Sequence, residues 1–266
     1  MKMNNKKNLS VSVVIPCLNA EATIKAAIKS ARQQQGIDLQ IICVDDGSDD
    51  ETPKILAQLA GEQVIEYIDS GSCGDAAWAR NQGLALSHGE FIQFLDADDQ
   101  LLEDKLYRQA RVLQQSGADL VAGTYHYINI NGRHTTHSPG NDIWHGLLTS
   151  NLGRTSANLF RHTALTAIDG WTIKQQSSQE YDLMFRLLKN GAEVAIDSTV
   201  GTEIIATHGS ISHSNEADNG HRFIALRRQM IAYLEQSNQL TESHQALYKS
   251  MYEETMARIK RFQKER

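Results

Sequence analysis

No stretch of this sequence approaches the roughly 18 consecutive apolar residues that a membrane-spanning helix needs, so a bilayer-crossing segment is not expected. The opening MKMNNKKNLSVSVVIPCL imitates a secretory leader by placing basic residues before an apolar run. That run is only about ten residues long, carries serines and reaches Pro16 without a small-residue cleavage pattern. Cysteine is scarce. Cys17, Cys43 and Cys73 are an odd number without metal-ligand spacing, and the first two fall at strand ends, where cysteine serves as a small buried hydrophobe. These absences point to a reducing, cytoplasmic setting. A positive balance is lacking too: a formal charge of -6 gives no reason to expect nucleic acid as the main partner. No internal repeat is visible.

What is present is a globular composition, 41% hydrophobic and 22% charged over 266 residues, enough for one large α/β domain or a domain with a small appendage. Strand-like runs at 11–16, 39–44, 63–68 and 90–95 alternate with helical stretches at 20–34, 52–60, 75–87 and 101–116, and a fifth strand-like run covers 119–130. This alternation predicts βαβ units with right-handed crossovers, hence an α/β fold whose mostly parallel sheet carries helices on both faces. From 131 to 179 the pattern loosens into glycines, histidines and polar runs. A helix over Glu180–Lys189 stops at Asn190-Gly191. Two more helices are expected from about His221. The last ends in ARIKRFQKER, a basic tip that could make peripheral contact with an acidic membrane surface. The plainer reading is a solvated helix end whose cations suit the dipole.

In open parallel sheets, ligands bind outside the carboxyl ends of the strands. Here the first strand ends in Pro16-Cys17-Leu18-Asn19, the second in Val44-Asp45-Asp46-Gly47-Ser48 and the fourth in Asp96-Ala97-Asp98-Asp99. Ala79-Arg80-Asn81-Gln82-Gly83 lies near the start of the intervening helix. Each segment alone could be turn or capping chemistry. Together, Asp45, Asp46, Asp96, Asp98 and Asp99 make a rim that repels a phosphorylated ligand. A hard divalent cation, Mg²⁺ or Mn²⁺, resolves this by taking carboxylate oxygens on one side and phosphate oxygens on the other. A nucleotidyltransferase would want a glycine-rich basic loop after the first strand, and Asn19-Ala20-Glu21 is neither. A phospho-receiver domain would place its paired aspartates after the first strand, not the second.

The segments VSVVIPCLNAE, VDDGSDDET, ARNQGLA, FLDADD and QEYDLMFRLL, in this order and spacing, resemble glycosyltransferase family 2 over about residues 11–190. The resemblance implies the GT-A fold and an inverting, metal-dependent transfer from a nucleotide-diphosphate sugar, with UDP as the default. The acceptor would be a hydroxyl of a glycan or lipid-linked glycan, in bacterial surface polysaccharide or other glycan assembly. It divides the chain into a GT-A domain over 1–220, with a nucleotide-binding half at about 10–130 and an acceptor half at about 131–220, and a C-terminal helical extension over 221–266. By the same resemblance Pro16 and Asn19 border the nucleotide pocket, Asp46 reads the base beside Asp45, and Arg80 contacts the nucleotide or its phosphates. Asp96 would meet the ribose, while Asp98 and Asp99 hold the metal.

Inverting transfer also needs a base for the acceptor hydroxyl. The family's base is usually the Asp of a Glu-Asp pair followed by an aromatic residue and Asp-Leu. Here the matching residues are Gln179-Glu180-Tyr181-Asp182-Leu183, which makes Glu180 the candidate. This departure keeps a non-catalytic nucleotide-sugar or glycan-binding relative as the rival reading. Ser177-Ser178-Gln179-Glu180 also reads as a capping box in which Glu180 only closes the helix start, with Asp182 favouring the dipole. Asp169-Gly170-Trp171 resembles the acceptor-lining segment, which assigns Trp171 and Asp182 to the acceptor, although a core tryptophan is an equal reading. His208 and His213 fall where some relatives place a further metal or phosphate contact.

Overall fold

The computed structural model describes residues 9–71, 73–175, 177–207 and 216–264; His208 and His213 lie outside them. Strands β1 (Ser10–Cys17), β2 (Asp38–Asp45), β3 (Glu66–Asp69) and β4 (Phe91–Phe94) pair in parallel in the order β3-β2-β1-β4. They are joined through helices α1 (Ile24–Arg32), α2 (Thr52–Gly61) and α3 (Ala76–Leu86). Side chains alternate along β1, so Val11, Val13 and Ile15 enter one apolar cluster with α1, while Val14 enters a second cluster with Ile42, Ile92 and Phe94. Burial on both faces is why these strands are nearly continuous apolar runs. Helix α3 lies so close on β1 that a Cβ on Gly83 would sit 2.3 Å from Val14 Cγ1.

Beyond β4 the sheet continues through β8 (Leu159–Arg161), β6 (Leu120–Ile128), β9 (Val194–Ile205) and β5 (Gln100–Leu101), with β7 (His134–His137) beside β6. The pairings leave β5, β7 and β8 running against the other strands. The sheet is therefore parallel in its long strands and mixed in its second half. Strand β8 is reversed because it arrives from the loop after the short helix α5 (Ile143–Leu148), not through a helical crossover. The helix after β5 is α4 (Lys105–Ser116), which starts later than its apolar pattern suggests because Gln100 and Leu101 are drawn into pairing with β9.

The short helix α6 (His162–Thr166) follows β8, and helix α7 (Gln179–Lys189) covers the second cluster with Tyr181, Met184 and Phe185. Helices α8 (Glu216–Gln236) and α9 (Glu242–Lys264) follow, and Leu226 and Met230 of α8 join that same cluster. Fully buried Arg227 donates to Leu148 O at 3.2 Å and to Ser150 Oγ, and its guanidinium lies 5.3 Å from the Tyr181 ring centroid. The C-terminal helices thus share the core of the α/β body. Among the described residues, no helix is long and apolar enough to cross a membrane.

Candidate active site

The carboxyl ends of β1, β2 and β4 form one rim because the three strands are adjacent and parallel. Pro16 pairs with Val44 inside the sheet. Asn19, at φ 50, donates its N–H to Ser48 Oγ at 2.9 Å and accepts from the Asp49 N–H at 2.9 Å, tying the two loops together. Asp45 is buried and accepts from the Ser48 hydroxyl and N–H, so it closes the turn after β2. The two oxygens of buried Asp46 accept from Cys73 N at 2.8 Å and Asp75 N at 2.7 Å. Asp46 therefore folds the segment after β3 into a wall of the rim, and each oxygen retains a second lone pair for a ligand donor.

Arg80 reaches across this rim from α3. Its Nη2 donates to Asp96 Oδ1 at 2.7 Å and its Nη1 to Gln179 Oε1 at 3.0 Å, with the guanidinium 4.6 Å from the Trp171 ring centroid. Asp98 accepts from Thr207 Oγ1 at 3.1 Å. Asp99 is buried and accepts from Ser156 Oγ at 2.6 Å and from Ile205 N at 3.1 Å. The same Ser156 oxygen accepts the Asp96 N–H at 3.0 Å. Burial, followed by the charge of Asp96, pushes the Asp98 carboxyl above its ordinary range; burial, then Asp96 and Asp98, pushes Asp99 well above it. Crowded carboxylates of this kind fit a hard divalent cation. Among the described residues no three Asp, Glu, His or Cys side chains are gathered to hold one, so water and ligand oxygens would complete the shell. Asp99, expected with Asp98 as a metal ligand, accepts one bond on each oxygen, from Ser156 and from β9, and Asp98 is the more exposed of the pair.

On the other side of Arg80, α7 begins without a capping box. The residue at its N-cap is Ser178, at φ 56 and with no side-chain cap bond, and Ser177 Oγ has no hydrogen-bond partner. Glu180 instead faces Arg154, with Oε1 3.8 Å from Nη1. Trp171 and Asp182, expected at the acceptor, are both engaged by neighbours within the protein. Trp171 is 2% exposed, with its ring edge-on to Phe94 at 5.1 Å, and its backbone is bracketed by Asn81 through two bonds of 2.9 Å. Asp182 accepts from Thr172 Oγ1 at 2.7 Å and Arg186 Nε at 2.9 Å, which pins the Trp171 loop to α7. Trp171 therefore shelves Arg80, and Asp182 holds that shelf. Three participants escaped sequence reasoning: Ser156, Arg154 and Gln179. Only Gln179 carried a signal, since it stands where the family has the first acid of its pair.

Comparison with known proteins fits this geometry. The family model described as glycosyl transferase family 2 matches residues 12–172. The Escherichia coli UDP-Glc:alpha-D-GlcNAc-diphosphoundecaprenol beta-1,3-glucosyltransferase WfgD is 33% identical over 121 residues, covering 46% of this chain and 47% of WfgD. The chain's matches span between about a fifth and a half of the length of such curated relatives. Among solved structures, S. aureus TarS 1-349 in complex with UDP-GlcNAc superposes with a TM-score of 0.69 at 19% identity, covering 93% of this chain and 72% of that one. The mannosyltransferase PcManGT from Pyrobaculum calidifontis, in complex with GDP-Man and Mn2+, gives 0.62 at 16% identity, covering 84% and 64%.

Proposed function

The chain belongs to glycosyl transferase family 2 and has the GT-A fold, and from that premise we propose that it moves a sugar, with inversion, from a nucleotide-diphosphate donor to a hydroxyl of a glycan or lipid-linked acceptor. One observation carries the reading. Arg80 bonds both Asp96 of the carboxylate rim and Gln179, the neighbour of Glu180, so donor-side and base-side groups meet at one guanidinium.

In this mechanism the loop held by Asp46 receives the base, and Asp96, fixed by Arg80 and Ser156, meets the ribose. A Mg²⁺ or Mn²⁺ ion held through Asp98, with Asp96 beside it, would neutralise charge on the departing diphosphate. Glu180 accepts the proton of the acceptor hydroxyl as its oxygen bonds to the anomeric carbon and the bond from that carbon to the diphosphate breaks. UDP is the expected nucleotide, supported by the names of WfgD and the TarS complex, and Mn²⁺ is supported by the PcManGT complex. WfgD's diphosphoundecaprenol substrate supports a lipid-linked acceptor, and with it work at the cytoplasmic face of a membrane. Arg258, Lys260 and Arg261 near the end of α9 are suited to peripheral contact there.

The test is transfer from a panel of nucleotide sugars to lipid-linked and free glycan acceptors. Glu180→Gln should lower kcat by about 10²–10⁴-fold while nucleotide affinity is retained. Near wild-type turnover in this variant would remove Glu180 as the base. No transfer by the wild type across the panel would favour the binding-module reading, which the Gln-Glu departure from the family pair motivates.

A further inference from the structure

We propose that Arg154 selects an acceptor carrying a negative charge, a phosphate or a carboxylate, beside the reacting hydroxyl. The proposal rests on the glycosyltransferase reading of this site and adds the acceptor's charge to it.

The other arginines around the site are committed. Arg80 is held by Asp96 and Gln179, Arg186 by Asp182 and Ile168 O, and Arg227 by Leu148 O and Ser150 Oγ. Arg154 differs. Its side chain is 46% exposed, and its acidic neighbour Glu180 stands at 3.8 Å, beyond hydrogen-bond reach. It hydrogen-bonds the Tyr125 side chain and lies near Tyr181, and neither brings an opposite charge at neutral pH. The backbone beneath it is fixed, because Arg154 O accepts from Ala157 N and Asn158 N at 3.0 Å each and Asn158 is buried. A rigid turn thus presents a forked cation whose donors beyond the Tyr125 bond can meet a ligand, next to the group that takes the acceptor's proton. Guanidinium forks match the paired oxygens of phosphates and carboxylates.

The experiment measures kcat/KM for three acceptors sharing one sugar: a neutral alkyl glycoside, its alkyl-diphosphate counterpart and a uronic-acid glycoside. Wild type should favour one charged acceptor over the neutral one by about 10- to 100-fold, the effect of one charge-assisted contact. Whether the diphosphate or the uronate is favoured identifies the source of the anion. Arg154→Met should bring the ratio close to one with donor KM unchanged, and Arg154→Lys should restore part of it. An unchanged ratio in Arg154→Met, or a selective rise in donor KM, overturns the proposal, and the Lys variant decides the matter should the Met variant fold poorly. Equal use of charged and neutral acceptors by wild type overturns it while leaving the glycosyltransferase reading intact. Absence of all transfer removes both.

Discussion

Ser156 is a single hydroxyl on which two of the rim carboxylates depend, and Ser156→Ala puts a figure on that dependence. The side chain is fully buried, so water cannot take its place. Its bond to Asp99 at 2.6 Å ends on a carboxylate, worth about 1.5–3 kcal/mol, and its acceptance of the Asp96 N–H at 3.0 Å is worth about 1 kcal/mol. The expected loss is therefore about 2–4 kcal/mol, or about 5–15 °C in Tm for a chain of this size. Urea unfolding at constant m should report the same loss. Titration calorimetry should also show UDP binding in Mn²⁺ weakened more than UDP binding in chelator, because the Asp96–Asp98 backbone loses its anchor. A loss below about 0.5 kcal/mol, with unchanged binding in Mn²⁺, would refute the reasoning.

Fully buried Lys105 has its ammonium pushed well below 10.5, chiefly by burial, with Asp197 opposing. The charged form is disfavoured in the fold, so wild-type stability should rise with pH between the depressed folded value and 10.5, and Lys105→Met should lack this increment when urea curves are compared from pH 7 to 10. Parallel slopes for the two proteins would contradict it. Gly83→Ala forces a Cβ to 2.3 Å from Val14 Cγ1 and should cost about 1–3 kcal/mol; pairing it with Val14→Ala should show non-additive recovery in unfolding measurements. Asp46→Ala should speed hydrogen exchange at the Cys73 and Asp75 amides and flatten the preference for UDP over GDP, and unchanged exchange would show that the loop is held by other means. Asp98→Asn should weaken metal-dependent UDP binding by more than about tenfold, and equal UDP affinity of the wild type in chelator and in Mn²⁺ would overturn the metal reading.

The first half of the chain was legible because its long strands are apolar, β-branched and regularly spaced by helices, and because the ends of β1, β2 and β4 carry their own motifs. Strand β8 was not, since Leu159–Arg161 is three residues long and too short to show a period. Ser156 and Arg154 lie in that same loosened stretch, and their meaning comes only from partners far away in sequence, such as Asp99 and Glu180. The helix start at Ser178 shows the opposite failure. A well-formed S-x-x-E pattern was present, but the left-handed backbone of Ser178 moves the cap one residue on and frees Glu180 from it. Trp171 could not be divided between core and surface without knowing that Asn81 and Phe94 would enclose it.

The join between the two halves sets limits on recombination among relatives. Arg80 reaches Gln179, Asn81 brackets Trp171, and Asp75 Oδ2 accepts the Lys174 N–H at 2.6 Å. Any crossover between about 130 and 170 separates every one of these pairs, although the family match itself stops at 172. A chimera built to exchange donor preference would keep its shape only if the graft carries both sides of the join, running through the first turn of α7. The carboxylate rim and the placement of Glu180 would then be inherited as one block.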